Sequence, residues 1–406
     1  MKIVALCLAA LTLLAPGAGE AATCDKVTIA APSGSAADIT FTFDASYTCG
    51  QFANGDWWVL TSATSQRVRV TAITPARGAG LDGWEVNPDS TSAQPYDDRI
   101  NGYDAARRPA LPYDAKGGES LVKTVSVDPS DQGCRPCLQF AAVLTVLDAA
   151  PPQNALRPPY FGSDKPLLEA SQIKTEKLPK LDAGCCSATA SRDLPWVRDR
   201  FAPVQLDHKT AWTGRHMHPK DNLPDYGASI ATDNATGVLR VMLDDFDAAN
   251  SDHRQALINL LQMGLDLGYM VHAGAKWPPN GGHANGRKLP VLLAGLLLDH
   301  QPLKDAAAKQ AYSEDEQIYF SPKANGGKGL ALYGMPCSEV DYWKHIRFGN
   351  GNRACRDPYG YIDGGSDEIG AAYQVCCTAK PWKYIALAVR LLQAEALFAN
   401  DTLLAY

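Results

Sequence analysis

The chain has 406 residues, 46% of them hydrophobic, and 38 Lys and Arg against 44 Asp and Glu give a formal charge of −6. That is enough chain for more than one core, and mild acidity without a basic block argues against a nucleic-acid partner. It leaves open a local basic cleft for a small or polymeric anion.

Lys2, an apolar run over 3–14, Pro16 and then small residues read as a secretory signal peptide over 1–22. No later apolar run reaches the roughly 18 residues of a membrane span, so the expectation is a secreted or periplasmic protein with no membrane span. Beyond Cys7 lie Cys24, Cys49, Cys134, Cys137, Cys185, Cys186, Cys337, Cys355, Cys376 and Cys377. An even number in an exported chain favours disulfides. Cys134-Arg-Pro-Cys137 reads as a structural bridge, since no second CxxC and no thioredoxin-like pattern accompanies it.

Residues 23–150 read as β. Alternation marks strands at 39–43, 68–73 and 121–127, a longer apolar strand covers 138–147, and turn residues separate them. A β-sandwich-like module is the expectation. Asn54-Gly55-Asp56 is a turn, and Trp57 and Trp58, opening a strand, must face opposite ways. At most one of the two is core; the other is free to stack on a ligand or to pack on the next domain. Pro151, Pro152, Pro158, Pro159 and Pro166 suggest an ordered linker over 151–166.

From 167 to 406 the period becomes helical. Leu257, Leu260, Leu261, Gly264, Leu265 and Gly268 share one face, and further helices are expected over 289–298 and 385–398. Helical hairpins with long loops gathered at one end suggest an α/α-toroid-like domain with its cleft among the loops. Four of these loops carry chemistry. His216-Met217-His218 leads to Asp225-Tyr226-Gly227; with no HExxH, a cleft wall is favoured over a metal site, and Asp225 and Tyr226 are candidates to reach inward. Trp277 to Lys288 places His283, Asn285, Arg287 and Lys288 at the mouth of an apolar helix, where polar groups are costly unless a ligand or partner meets them. Tyr359-Gly360-Tyr361-Ile362-Asp363 offers aromatic faces and a carboxylate suited to sugar rings. Tyr373 to Lys383, with Cys376, Cys377, Thr378 and Trp382, opens the last long helix.

Four strings together resemble a group of secreted bacterial proteins of polysaccharide breakdown: Gln51-Phe52-Ala53-Asn54-Gly55-Asp56-Trp57-Trp58, Asn280-Gly281-Gly282-His283-Ala284-Asn285-Gly286-Arg287-Lys288-Leu289-Pro290, Asp357-Pro358-Tyr359-Gly360-Tyr361-Ile362-Asp363-Gly364-Gly365, and the tail Leu403-Leu404-Ala405-Tyr406. The tail departs from the group's usual Asn-His-Asp, having Asn400-Asp401. The closest analogues of the group are α/α-toroid polysaccharide lyases. The resemblance implies a polysaccharide substrate, and neither a cofactor nor a metal is expected. With the loop residues above, the expected substrate contacts are Asn54, Asp56, Trp57, Asp225, Tyr226, Tyr359, Asp363, Tyr373 and Trp382.

A lyase acting on a uronic-acid polymer must neutralise the carboxylate, take the C5 proton and protonate the leaving oxygen. That inventory gives His283 as base, Tyr361 as acid, and Asn285 with Arg287 as the carboxylate clamp. Two alternatives use other groups. A glycoside hydrolase would use paired carboxylates among Asp225, Asp363, Asp367 and Glu368, and a non-catalytic glycan binder would need only the aromatics. No GxSxG and no strand–GxGxxG–helix unit is present.

Overall fold

A computed structural model of the protein describes residues 21–34, 36–78, 80–184, 192–278, 282–312, 318–322, 324–333 and 377–406. The sheet grows from Ile39–Gln51 (β2), whose Ile39, Phe41 and Phe43 alternate into a buried layer. Ala22–Ile29 (β1) pairs along one flank of β2, and the Cys24–Cys49 disulfide ties the two together. On the other flank Trp57–Leu60 (β3) takes the 49–51 end, while Val68–Thr74 (β4) takes the 40–43 end. Two strands sharing one flank must diverge, and the sheet curls where they do.

Beyond them lie Trp84–Val86 (β5), Tyr113–Ala115 (β6), Ser120–Ser126 (β7) and Leu138–Leu147 (β8), giving the order β5-β7-β8-β3-β2-β4-β6. The β3–β8 pair is parallel and the other pairs in this path are antiparallel. The β-sandwich-like module expected from sequence is therefore corrected to a single mixed sheet curled into a half-barrel. Alternation shows which side chains turn inward; it does not show which strands become neighbours.

One core fills the curl, with Phe41, Val70, Leu121 and Leu144 among its members. The outer face carries Val122, Leu138, Ala141 and Val143, which join the helices in a second and larger core. Strands β7 and β8 are thus buried on both faces; β8 is accordingly apolar along most of its length, whereas β7 buries Ser120, Lys123, Thr124 and Ser126 among its apolar residues.

The helices are Leu194–Phe201 (α1), Gly227–Arg240 (α2), Ser251–His272 (α3), Lys288–Leu297 (α4), Gln301–Ala308 (α5), Ala324–Gly327 (α6), Ala379–Leu391 (α7), Glu395–Phe398 (α8) and Asp401–Ala405 (α9). Asn250 caps α3 by accepting from the amides of Asp252 and His253, and Asp193 caps α1 through the Trp196 amide. Helix α3 is buried without interruption over 256–271, and α1, α4 and α5 pack around it. The α/α-toroid expectation fails here: among the described residues, α1, α4 and α5 cluster about α3 on one face of the sheet, and no ring of helical hairpins is formed. Between the expected apolar positions of α3, Ile258, Met263 and Leu267 are buried as well, and so are the polar Asn259, Gln262 and Asp266. A one-sided helix was read where an enclosed one exists. The helix expected over 385–398 is interrupted at Gln393, whose φ of 51° ends α7 before α8 begins.

The segment 151–166 lies between sheet and helices with Arg157, Tyr160 and Phe161 buried. Arg157 donates through Nε to Asp56 Oδ2 at 2.5 Å, and through Nη1 and Nη2 to Asp266 at 3.1 and 2.5 Å. The β2–β3 turn is thereby locked to the middle of α3.

Candidate functional site

The site is assembled from three backbone segments that meet at the N-terminus of α2. The first runs over 205–226, the second is the 282–287 loop leading into α4, and the third is the Cys377–Thr378 entry to α7. The loop can approach α2 because that helix begins with small residues. A Cβ at Gly227 would lie 2.0 Å from the carbonyl oxygen of His283. Gly286, at φ 84°, lies so close to Ala231 that a Cβ there would come within 2.2 Å of its Cα. The Asn234 side chain then fixes the loop by donating to the Gly286 carbonyl at 2.9 Å.

Beneath the loop lies Asp207. Its carboxylate accepts from Arg287 Nε at 2.7 Å and Nη2 at 3.2 Å, and from His218 Nε2 at 2.9 Å. Tyr160 accepts the Asp207 amide through its hydroxyl. Burial opposes the Asp207 charge, but Arg287 and His218 outweigh it and hold the carboxyl far below the ordinary range. His218 Nδ1 faces the carbonyls of Pro224 and Asp225, both at 3.1 Å. Both of its ring nitrogens therefore meet oxygens that only accept.

His283 lies against this pair, its ring stacked on that of His218 with centroids 5.4 Å apart. It is fully buried, yet neither Nδ1 nor Nε2 has a hydrogen-bond partner. Burial first, then the positive charges of Arg287 and His218, push its pKa down to about 2. His283 is neutral at any physiological pH. Its other neighbour is Trp212, at 6.2 Å between ring centroids, which is 38% exposed at the mouth of the site. The Arg215 guanidinium stacks 4.7 Å from the ring centres of both Trp212 and Tyr226 and pairs with Asp225 at 2.5 Å. Arg135, from the Cys134–Cys137 loop, reaches the same Asp225 oxygen at 3.7 Å. Among the described residues, Arg287 and His218 thus face Asp207, while Arg215 and Arg135 share Asp225.

The expected clamp residues are built into the scaffold. Arg287 is fully buried and commits its donors to Asp207 and to the carbonyls of His283 and Asn285, at 2.5 and 2.7 Å. Asn285 is also buried; its amide donates to the carbonyls of Cys377 and Thr378, and its oxygen accepts from Trp382 Nε1 at 2.8 Å. Trp382 is buried there as the third member of that brace.

Asp225 and Tyr226 lie in the His283 group, whereas Asn54 and Asp56 belong to the Arg157 lock. Asn54 Oδ1 and Gln262 Oε1, both without partners, line one small cavity beside that lock. Trp57 is half-buried against the core inside the curl, while Trp58 turns to the opposite face with Phe52 and Leu147. Tyr359, Tyr361, Asp363 and Tyr373 lie outside the described residues, as do Asp367 and Glu368.

A broad groove of about 980 Å³ opens on the sheet among Ser46, Thr48, Thr61, Ser62, Gln66 and Lys116, and it shares no residue with the His283 group. None of its lining side chains carries a buried, unpartnered polar atom. The chemistry points to His283.

Sequence reasoning passed over Asp207, Trp212 and Arg215, and set His218 aside with the His-x-His motif. The available signal was the stretch Gln205-Leu206-Asp207-His208-Lys209-Thr210, polar at all but Leu206, with no exposed helical or strand face to carry it. Among the described residues, no group of His, Cys, Asp and Glu side chains is arranged to hold a metal ion, and no helix is long and apolar enough to cross a membrane. No protein-family model, curated protein or solved structure matches the chain.

Proposed function

We propose that this is an exported enzyme that cleaves a uronic-acid-containing polysaccharide by β-elimination, with His283 as the base that takes the C5 proton. One observation carries the reading: a fully buried, neutral imidazole with both nitrogens unpartnered, set beside the Arg287 and Arg215 guanidiniums. A base must be unprotonated before substrate arrives, and burial beside Arg287 and Arg215 secures that. The same cations attract a carboxylate, and a bound carboxylate offsets them, raising the proton affinity of His283 when the proton is to be taken.

Arg215 is the guanidinium at the mouth, so it takes the neutralising role that sequence gave to Arg287, and Trp212 offers an exposed ring for a sugar face. Arg287 and Asp207 position the loop and His218. Tyr361 remains the proton donor suggested by its motif, with the Tyr226 phenol, at the Gly282 turn, as the alternative. Export accords with the apolar N-terminus and with the disulfides Cys24–Cys49 and Cys134–Cys137.

The test is incubation of the purified protein with acidic and neutral polysaccharides, following unsaturated-uronide absorbance and reducing ends in parallel. The expected result is absorbance and reducing ends rising together on acidic polymers only, with both lost in Tyr361→Phe or Tyr226→Phe, whichever is the donor. Reducing ends without absorbance would make it a hydrolase, and no cleavage of any acidic polymer would remove the proposal.

A further inference from the structure

The Cys134–Cys137 loop belongs to the sheet by sequence, but its backbone is bolted to the site. His216 Nδ1 meets the Cys134 carbonyl at 2.8 Å, and the Cys137 amide donates to the His216 carbonyl at 2.7 Å. The next residues continue the seam: the amides of Lys220 and Asp221 donate to the carbonyls of Leu138 and Gln139. A three-residue spacing closed by a disulfide leaves Arg135 little freedom of placement. Its side chain is 49% exposed, and its one ionic partner among the described residues is Asp225, at 3.7 Å. That same oxygen is already held by Arg215 at 2.5 Å. One carboxylate is thus shared between two guanidiniums, and the more distant and more exposed one, Arg135, keeps unsatisfied positive charge toward solvent.

We propose that Arg135 is a specificity-determining residue. It binds the anionic group of the sugar next to the one held at His283, so that the site selects chains with charge on successive residues over isolated acidic sugars. This rests on the polysaccharide reading above and adds a subsite to it. The partner chemistry is a carboxylate or a sulfate ester on a neighbouring ring, which a guanidinium recognises with paired hydrogen bonds. Arg135 touches neither the proton taken nor the bond broken, so its effect belongs in binding and not in the chemical step.

The test is calorimetric binding of a single uronate and of oligouronides to the wild type, Arg135→Ala and Arg135→Lys, at low and high salt, with oligosaccharides sulfated on successive rings as a second arm. In Arg135→Ala, oligomer affinity should fall about fivefold, the scale of one exposed ion pair, with a shallower salt dependence. Single-uronate affinity should not change, and Arg135→Lys should restore part of the loss. Where turnover is measured, KM should rise with kcat unchanged. A response in one arm only identifies the anion. Equal losses for single and linked sugars, or no loss, would overturn the subsite while leaving the function intact. If the wild type binds no acidic saccharide of any length, the functional reading fails and the subsite falls with it.

Discussion

At the scale of single residues, the site depends on one buried carboxylate. Asp207 compensates Arg287 and orients His218, and both partners are themselves fully buried. Asp207→Asn keeps the shape but leaves the guanidinium without a counter-charge, a loss of about 3–5 kcal/mol for a buried pair. Chemical denaturation should show it, and turnover should vanish because the 282–287 loop loses its anchor. A second buried acid behaves in the opposite way. Desolvation raises Glu85 to about 7 despite its hydrogen bond from Arg107 Nε at 2.6 Å. Its folded pKa lies above the unfolded one, so the folded state holds the extra proton and stability falls as pH rises from about 4.5 through 7. In Glu85→Gln that part of the decline should disappear, by roughly 3 kcal/mol at full effect. Urea midpoints measured at pH 4.5 and pH 8 check the sign.

At the scale of elements, the decisive contact is between α2 and the loop ahead of α4. Gly227→Ala places a methyl group against the His283 carbonyl, so the loop must move by an ångström or more or the helix must shift. Turnover should drop at least about 100-fold, as misplacement of that size implies, while the unfolding midpoint falls far less than in Asp207→Asn. Equal losses of both would show the contact to be structural only. This contact also marks how far the sequence could be read. The glycines, His283 and the apolar helix after them identified the loop, because tight turns and buried helices have local signatures. The roles of Asn285 and Arg287 were not legible. A buried brace and a ligand clamp use the same donors, and only the positions of Cys377, Thr378, Trp382 and Asp207 separate them. The strands at 39–43, 68–73 and 121–127 were visible in their alternation, but the parallel β3–β8 pairing was not, since it joins residues 87 apart, as Trp57 with Leu144.

At the scale of the molecule, the sheet and the helices are mutually dependent. The outer faces of β7 and β8 belong to the helical core, and Arg157 bridges Asp56 in the sheet to Asp266 in α3. Arg157→Ala should cost about 3–5 kcal/mol by stranding two carboxylates, and should still leave a single unfolding transition by circular dichroism and tryptophan fluorescence; separate transitions would show independent units. The shared core also explains how a loop from the sheet, carrying Arg135, comes to border a site built by helices.

The account rests on His283 being retained for what it does to a ligand, since two unpartnered buried nitrogens disfavour the fold by about 1–3 kcal/mol each. The most direct test is the unfolding free energy of His283→Leu and His283→Met, measured beside turnover of the acidic polymer that the wild type degrades. At least one variant should be as stable as the wild type or more so, and both should be inactive. Active variants, or variants destabilised as much as a lost core contact would imply, would contradict it.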